Sequence, residues 1–187
     1  MVGLSAHKVG GPPGVGALLV RKGTPLAPLL LGGEQEGGAR AGTEATALAC
    51  AFAAAAEDAV AERAEAATRW SAWIASLRAG LASLEPAIQW NSPDDEVLPN
   101  TLNASFPGRS GAVLVQRLDL EGVAVSHGSA CASGSRQPSP VLLAVGADER
   151  RARGAVRFSV GPTNVAGDVQ ELLARIARAL RDVAPRE

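Results

Sequence analysis

The sequence has no tyrosine, and with three phenylalanines and three tryptophans its aromatic content is only 3%. Charge of one sign is not in excess either: 18 Lys and Arg stand against 19 Asp and Glu, a formal net charge of -1. Without a basic surplus there is no store of cations to displace counterions from a phosphate backbone, which argues against a nucleic-acid binder. The same balance argues against a polybasic membrane-surface protein. No uninterrupted apolar run reaches the length of about 18 residues that a membrane span requires. The opening, Met1 to Lys8, lacks the apolar core of a signal peptide. Two cysteines, Cys50 and Cys131, are too few and too far apart for a disulfide framework. There is no CxxC pair or Cys/His cluster, so no metal site is expected. These absences predict a cytoplasmic protein with free thiols.

What is present is globular in character. The 187 residues are 47% hydrophobic and 20% charged, enough to bury a core as one domain or two small ones. Gly10 to Gly14 reads as a tight turn entering a buried strand, Val15 to Val20. Leu29 to Leu31 is a second short apolar run, followed by a polar, glycine-rich loop from Gly32 to Thr43. Thr43 is a candidate N-cap for a helix that nothing interrupts before about Ala79. Trp70, Trp73, Ile74, Leu77, Leu81 and Leu84 recur at helical spacing and form one apolar face. A helix of this length often bridges two domains, and the boundary is placed near its middle, giving domains 1–62 and 63–187.

Beyond it, Leu102, Ala104 and Phe106 alternate with polar residues, which predicts a half-buried strand over Thr101 to Phe106. Ser110 caps a following helix, Val123 to Val125 is a strand, Val141 to Val145 a short helix and Ala155 to Val160 a strand containing Arg157. Val169, Leu172, Leu173, Ile176, Leu180 and Val183 make a terminal amphipathic helix. Alternating strands and helices imply an α/β layered domain.

Four segments carry candidate chemistry. Cys131 sits among small residues, Ser126 to Ser135, where little bulk would cover a thiol, and His127 four residues earlier is a candidate base. The same cysteine reads equally as a small buried hydrophobe. Cys50, in an Ala-rich helix, reads as core packing. Lys8, with Ser5 and His7 before it and a Gly/Pro turn after it, could form a Schiff base with a carbonyl cofactor or be a solvated loop lysine. The Gly32 to Thr43 loop offers backbone N–H groups, a hydroxyl and Arg40, the features of a phosphate-binding loop and of many others. Arg157, in an apolar strand, either faces inward and needs a carboxylate or lies on an outward edge.

In order and spacing these segments resemble the C-terminal half of a pyridoxal-phosphate-dependent cysteine desulfurase, NifS/IscS-like, of the class V aminotransferase superfamily. Ser5-Ala6-His7-Lys8 with Gly11 to Ala17 is similar to the family's cofactor-lysine segment. Gly32 to Glu36 with Arg40 to Thr43 is similar to its dimer loop. Gly128 to Cys131 with Pro138, Ser139, Val141 and Leu142 is similar to its catalytic-cysteine loop, in the group where that loop is long. Val156 to Gly161 is similar to its substrate-carboxylate strand. Departures fall at Pro13, Glu34, Gly37, His127 and Gly167, none of which removes a catalytic group.

The resemblance implies the C-terminal part of fold type I of the pyridoxal-phosphate-dependent transferases: the end of the large domain, with the dimer loop, plus the complete small α/β domain. It implies that Lys8 holds pyridoxal 5'-phosphate and moves protons, that Ser5 and His7 bind its phosphate, and that Thr43 reaches the phosphate in the neighbouring subunit of a homodimer. Arg157 would clamp the carboxylate of L-cysteine. Cys131 would take the sulfur as a persulfide, leaving L-alanine; a transient iron–sulfur ligand is the one metal role this leaves it. The implied partners are a sulfur acceptor, either an iron–sulfur scaffold or a tRNA-thiolation relay, and a separate N-terminal half supplying the family's upstream cofactor contacts. The competing readings are an inactive truncated remnant serving as a binding or sulfur-carrier module, and another class V aminotransferase-like enzyme.

Overall fold

The computed structural model describes residues 1–128 and 138–183. The chain divides into two compact units, Met1–Ala64 and Glu65–Glu187.

The first unit opens with a hairpin in which β1 (Val2–Ser5) pairs antiparallel with β2 (Gly16–Leu19), Ser5 opposite Gly16. Gly16 is needed there because a Cβ would stand 2.5 Å from the Leu4 carbonyl oxygen. Between the strands the chain makes a 3-10 turn, Ala6–Lys8, wound around the fully buried Ala6. The Ala6 carbonyl accepts from the N–H groups of Val9 and Gly11 at 3.0 and 2.9 Å, and its own N–H donates to Val15 at 3.1 Å. Contrary to the sequence reading, β2 is exposed along its whole length. Leu29 to Leu31 forms no strand and is exposed. Two strands alone make too small a surface for apolar side chains to bury against.

Helix α1 runs without a break over Thr46–Leu84. It begins three residues beyond Thr43, which is therefore not its N-cap. Its buried residues, Ala66, Leu77 and Leu81, all belong to the second unit. Cys50 lies on its exposed surface rather than in a core, because the large side chains of the first unit are not gathered over it.

The second unit holds a three-stranded antiparallel sheet in the order β3 (Gln89–Trp90), β4 (Thr101–Ser105), β5 (Ala155–Ser159). The β4–β5 register sets Leu102 opposite Phe158 and Ala104 opposite Val156, so one face is apolar. Against it pack Leu77 and Leu81 of α1, Leu114 and Leu118 of α2 (Gly111–Leu120) and Ile176 of α5 (Asp168–Asp182). Two short helices, α3 (Pro140–Ala144) and α4 (Glu149–Arg153), bring Leu142 and Ala152 against Ala155 at one end of the other face. Ser110 caps α2 by accepting from the Val113 N–H at 3.5 Å, as the sequence predicts. The expected strand at Val123–Val125 is reduced to a single bridge, Ser126 to Arg157. The strand–helix alternation thus builds an antiparallel rather than a parallel sheet.

Candidate functional site

In the first unit, the lysine segment gathers three functional groups on one turn. Ser5 ends β1 and its hydroxyl caps nothing; His7 and Lys8 follow on the 3-10 turn, and all three are exposed. The burial of Ala6 between them holds the turn, so neighbouring polar side chains project outward together. A primary amine beside a hydroxyl and an imidazole is a donor set that fits the two ends of pyridoxal phosphate, its aldehyde and its phosphate.

The loop before α1 is held by its own hydrogen bonds. Ala41 N–H donates to Leu30 at 3.2 Å, and Gly42 N–H to Gln35 Oε1 at 3.2 Å. Glu36, Gly37 and Gly38 take positive φ in succession (53°, 64° and 80°), a conformation that glycine allows and that puts strain on Glu36. Thr43 follows this turn, exposed.

In the second unit, Arg157 lies on the polar face of the sheet. Strand alternation places Thr101, Asn103, Ser105, Arg157 and Ser159 opposite the apolar face, with Asn103 directly across from Arg157. On the other side Ser126 is tied to Arg157 by two backbone bonds, at 3.1 and 2.8 Å, and its Oγ accepts from Arg157 Nη2 at 3.4 Å. Arg157 Nε is buried and has no partner among the described residues. Arg157 is half-buried, and among the described residues no carboxylate neutralises it. A cationic donor left so is matched by an incoming acceptor such as a carboxylate.

Beside this arginine runs a polar chain that the sequence reading missed. Arg151 Nε donates to Asn91 Oδ1 at 2.7 Å; Asn91 Nδ2 donates at 2.8 Å both to Asn103 Oδ1 and to Ser105 Oγ. The signal for Asn103 was available, since the alternation that buries Leu102 and Ala104 turns Asn103 to the face that carries Arg157.

His127 stands apart from these groups. Its Nδ1 is 2.9 Å from the Ala155 carbonyl oxygen, so that nitrogen carries the proton. Its ring also abuts the start of α2, where a Cβ on Gly111 would come within 2.6 Å of it. The bond to Ala155 fixes the tautomer and leaves Nε2 as the acceptor nitrogen of the ring. Cys131 lies outside the described residues. A groove of about 480 Å³ opens between Val123–Val125 and the α5 residues Val169 and Leu172, and none of the described candidate residues lines it. Among the described residues no helix is long and apolar enough to cross a membrane, and no cluster of metal-binding side chains occurs.

The family model for "Aminotransferase class-V" matches residues 1–172. The chain is 38% identical over 190 residues to a cysteine desulfurase, IscS, of Clostridium botulinum, covering 99% of this chain and 48% of that protein. It is 40% identical over 183 residues to an IscS-like cysteine desulfurase of Mycobacterium tuberculosis, covering 95% and 47%. To the cysteine desulfurase NifS of Azotobacter vinelandii it is 37% identical over 188 residues, covering 99% and 47%. Among solved structures a NifS-like protein superposes with a TM-score of 0.84 at 37% identity, over 96% of this chain and 46% of that one. The chain therefore spans about half the length of the curated relatives it matches. The resemblance and the fold expected from it are both borne out, and the chain belongs to the class V aminotransferase family.

Proposed function

We propose that this protein acts in pyridoxal-phosphate-dependent cysteine desulfuration, removing sulfur from L-cysteine to give L-alanine and a cysteine persulfide. The observation that carries the reading is identity of 37% or more to named cysteine desulfurases over a match that covers 99% of the chain. In this reading Ser5 and His7 hold the cofactor phosphate, and Thr43 serves the phosphate of the neighbouring subunit in a homodimer. The cofactor contacts that this chain lacks come from the part of the relatives it does not match, on the same or a separate polypeptide.

When bound, the cofactor supplies an electron sink for the substrate's carbon skeleton. Lys8 anchors it through its amine and, once released, carries protons to and from the substrate carbon. Arg157 orients the amino acid by its carboxylate through a planar, permanently charged fork. The Cys131 thiolate attacks the substrate sulfur; an S–S bond forms as the Cβ–S bond breaks, and the bonding pair departs with the carbon fragment. The persulfide is then passed to an acceptor, either an iron–sulfur scaffold or a thiolation relay, in a cytoplasmic setting.

The sequence contains its own controls. Lys8 and Lys22 are the only lysines, and Cys50 and Cys131 the only cysteines. Borohydride trapping of pyridoxal phosphate, followed by peptide mass analysis, should label Lys8 and not Lys22. With L-cysteine and the complementary half of a relative added, persulfide should appear on Cys131 and not on Cys50. Equal labelling of both lysines, or sulfide release that survives Cys131→Ser, would overturn the reading.

A further inference from the structure

Asn103 has used every hydrogen-bonding group but one. Its N–H donates to Ser92 Oγ at 2.9 Å, and its carbonyl accepts from the N–H groups of Asn91 and Ser92 at 2.9 and 3.2 Å. Its Oδ1 accepts from Asn91. The side-chain NH2 donates to no described residue and, unlike Arg157 Nε, is not a buried unpartnered atom, so it is open to solvent. The two ends of an amide look alike and can usually be exchanged. Here a neighbour decides. Arginine only donates; Arg151 sends Nε to Asn91 Oδ1 at 2.7 Å and Nη2 to the Trp90 carbonyl at 2.6 Å. Asn91 must therefore turn its oxygen toward Arg151 and its NH2 toward Asn103. Asn103 must meet that NH2 with its oxygen, which leaves its own NH2 turned away from the chain of bonds. Polarity thus runs one way, from α4 through Asn91, just past β3, to β4.

The β4–β5 register sets Asn103 directly across from Arg157, and directly opposed side chains have Cβ atoms about 5 Å apart. Arg157 Nε is a buried donor without a partner. Two neighbouring side chains therefore offer N–H groups and no free acceptor. One guanidinium supplies a single positive charge, which matches a carboxylate better than a doubly charged phosphate. We propose that Asn103 is a second residue binding the substrate carboxylate alongside Arg157, and that Arg151, acting through Asn91, is a positioning residue that fixes the direction of its amide. The proposal rests on the reading of Arg157 as the carboxylate clamp. The ligand is a free α-amino acid, bound through an acceptor-only carboxylate.

The test follows the Arg157 Nε–H resonance, assigned by its loss in Arg157→Lys, during titration of the full chain with L-alanine. A saturable shift is expected with L-alanine and none with L-alaninamide. Asn103→Ala should weaken binding roughly tenfold, the scale of one hydrogen bond to a charged group. Asn103→Asp, which sets a carboxylate beside the guanidinium, should move the resonance without ligand and abolish the titration. Arg151→Met, which leaves β4 untouched, should weaken binding by releasing the Asn91 amide to flip; backbone spectra verify folding of each variant. Parent-like affinity in Asn103→Ala or Arg151→Met overturns the inference while leaving the Arg157 reading intact. An Arg157 resonance indifferent to L-alanine, or equally responsive to L-alaninamide, overturns the clamp reading and this inference with it.

Discussion

Glu85 and Arg109 show how single side chains fasten the second unit. They form an ion pair with 16% and 11% of their side chains exposed, and Arg109 Nε also donates to the Val183 carbonyl at 2.8 Å. The pair thus ties the end of α1 to the end of α5. Removing one partner strands the other charge, so Glu85→Ala should destabilise the unit by about 3 kcal/mol, read from the denaturant midpoint. An unchanged midpoint would place the pair among solvated surface bridges. Gly111 is the second such residue. An added Cβ would stand 2.5 Å from the Ala155 carbonyl oxygen, and this backbone belongs to β5, a strand of the core sheet. Gly111→Ala should cost about 2 kcal/mol by overpacking, despite alanine's better helix propensity. The His127 ring signals should shift in the same variant; if stability and ring are both unmoved, α2 does not sit where described.

Among the elements, α5 begins with a carboxylate that links its stability to pH. Asp168 is held below its ordinary carboxylate value first by the Asn164 side-chain amide, at 2.9 Å, then by the Val165 N–H, at 3.1 Å. The folded chain therefore binds this proton less readily than the unfolded one. Its contribution is complete above the unfolded value of 3.8 and fades as the pH falls through the lower folded value. Asp168→Asn should flatten the loss of stability below about pH 4; superimposable acid limbs in the two proteins would refute this. Elements with a strong pattern were legible in the sequence: the alternation of Leu102, Ala104 and Phe106 gave β4, and the spacing of Val169, Leu172, Ile176 and Leu180 gave α5. Two-residue β3 and five-residue α4 were missed, because neither is long enough to show a period. The strand read at Val123–Val125 is apolar because it borders a core, yet only Ser126 pairs with β5. The charged and reactive candidates, Lys8, Arg157 and Cys131, were legible by residue type and motif. Asn91 and Arg151 were not, because their role lies in hydrogen bonds between residues as far apart as 60 positions, whereas Asn103 could have been reached from the alternation of its own strand.

At the scale of the whole chain the two units differ in what holds them. The second has a continuous core of leucine, isoleucine and phenylalanine. The first buries only Ala6, while Leu18, Leu19, Leu29 and Leu31 are 52%, 58%, 93% and 83% exposed. Hydrogen exchange should therefore find the β1 and β2 amides nearly unprotected in the isolated chain, and those of Leu102–Phe106 and Val156–Phe158 protected. A dye that reports exposed apolar surface should bind, and should be displaced by whatever covers the first unit. Uniform protection across both units would contradict this. Helix α1 adds a complication: none of its residues 46–64 is fully buried, so their alanine content, more than packing, sustains them. Circular dichroism registers helical turns whatever they rest on. The chain would look fully helical by that measure even with its first sixty residues stripped of tertiary order, and a melting curve drawn from it would describe only the remainder.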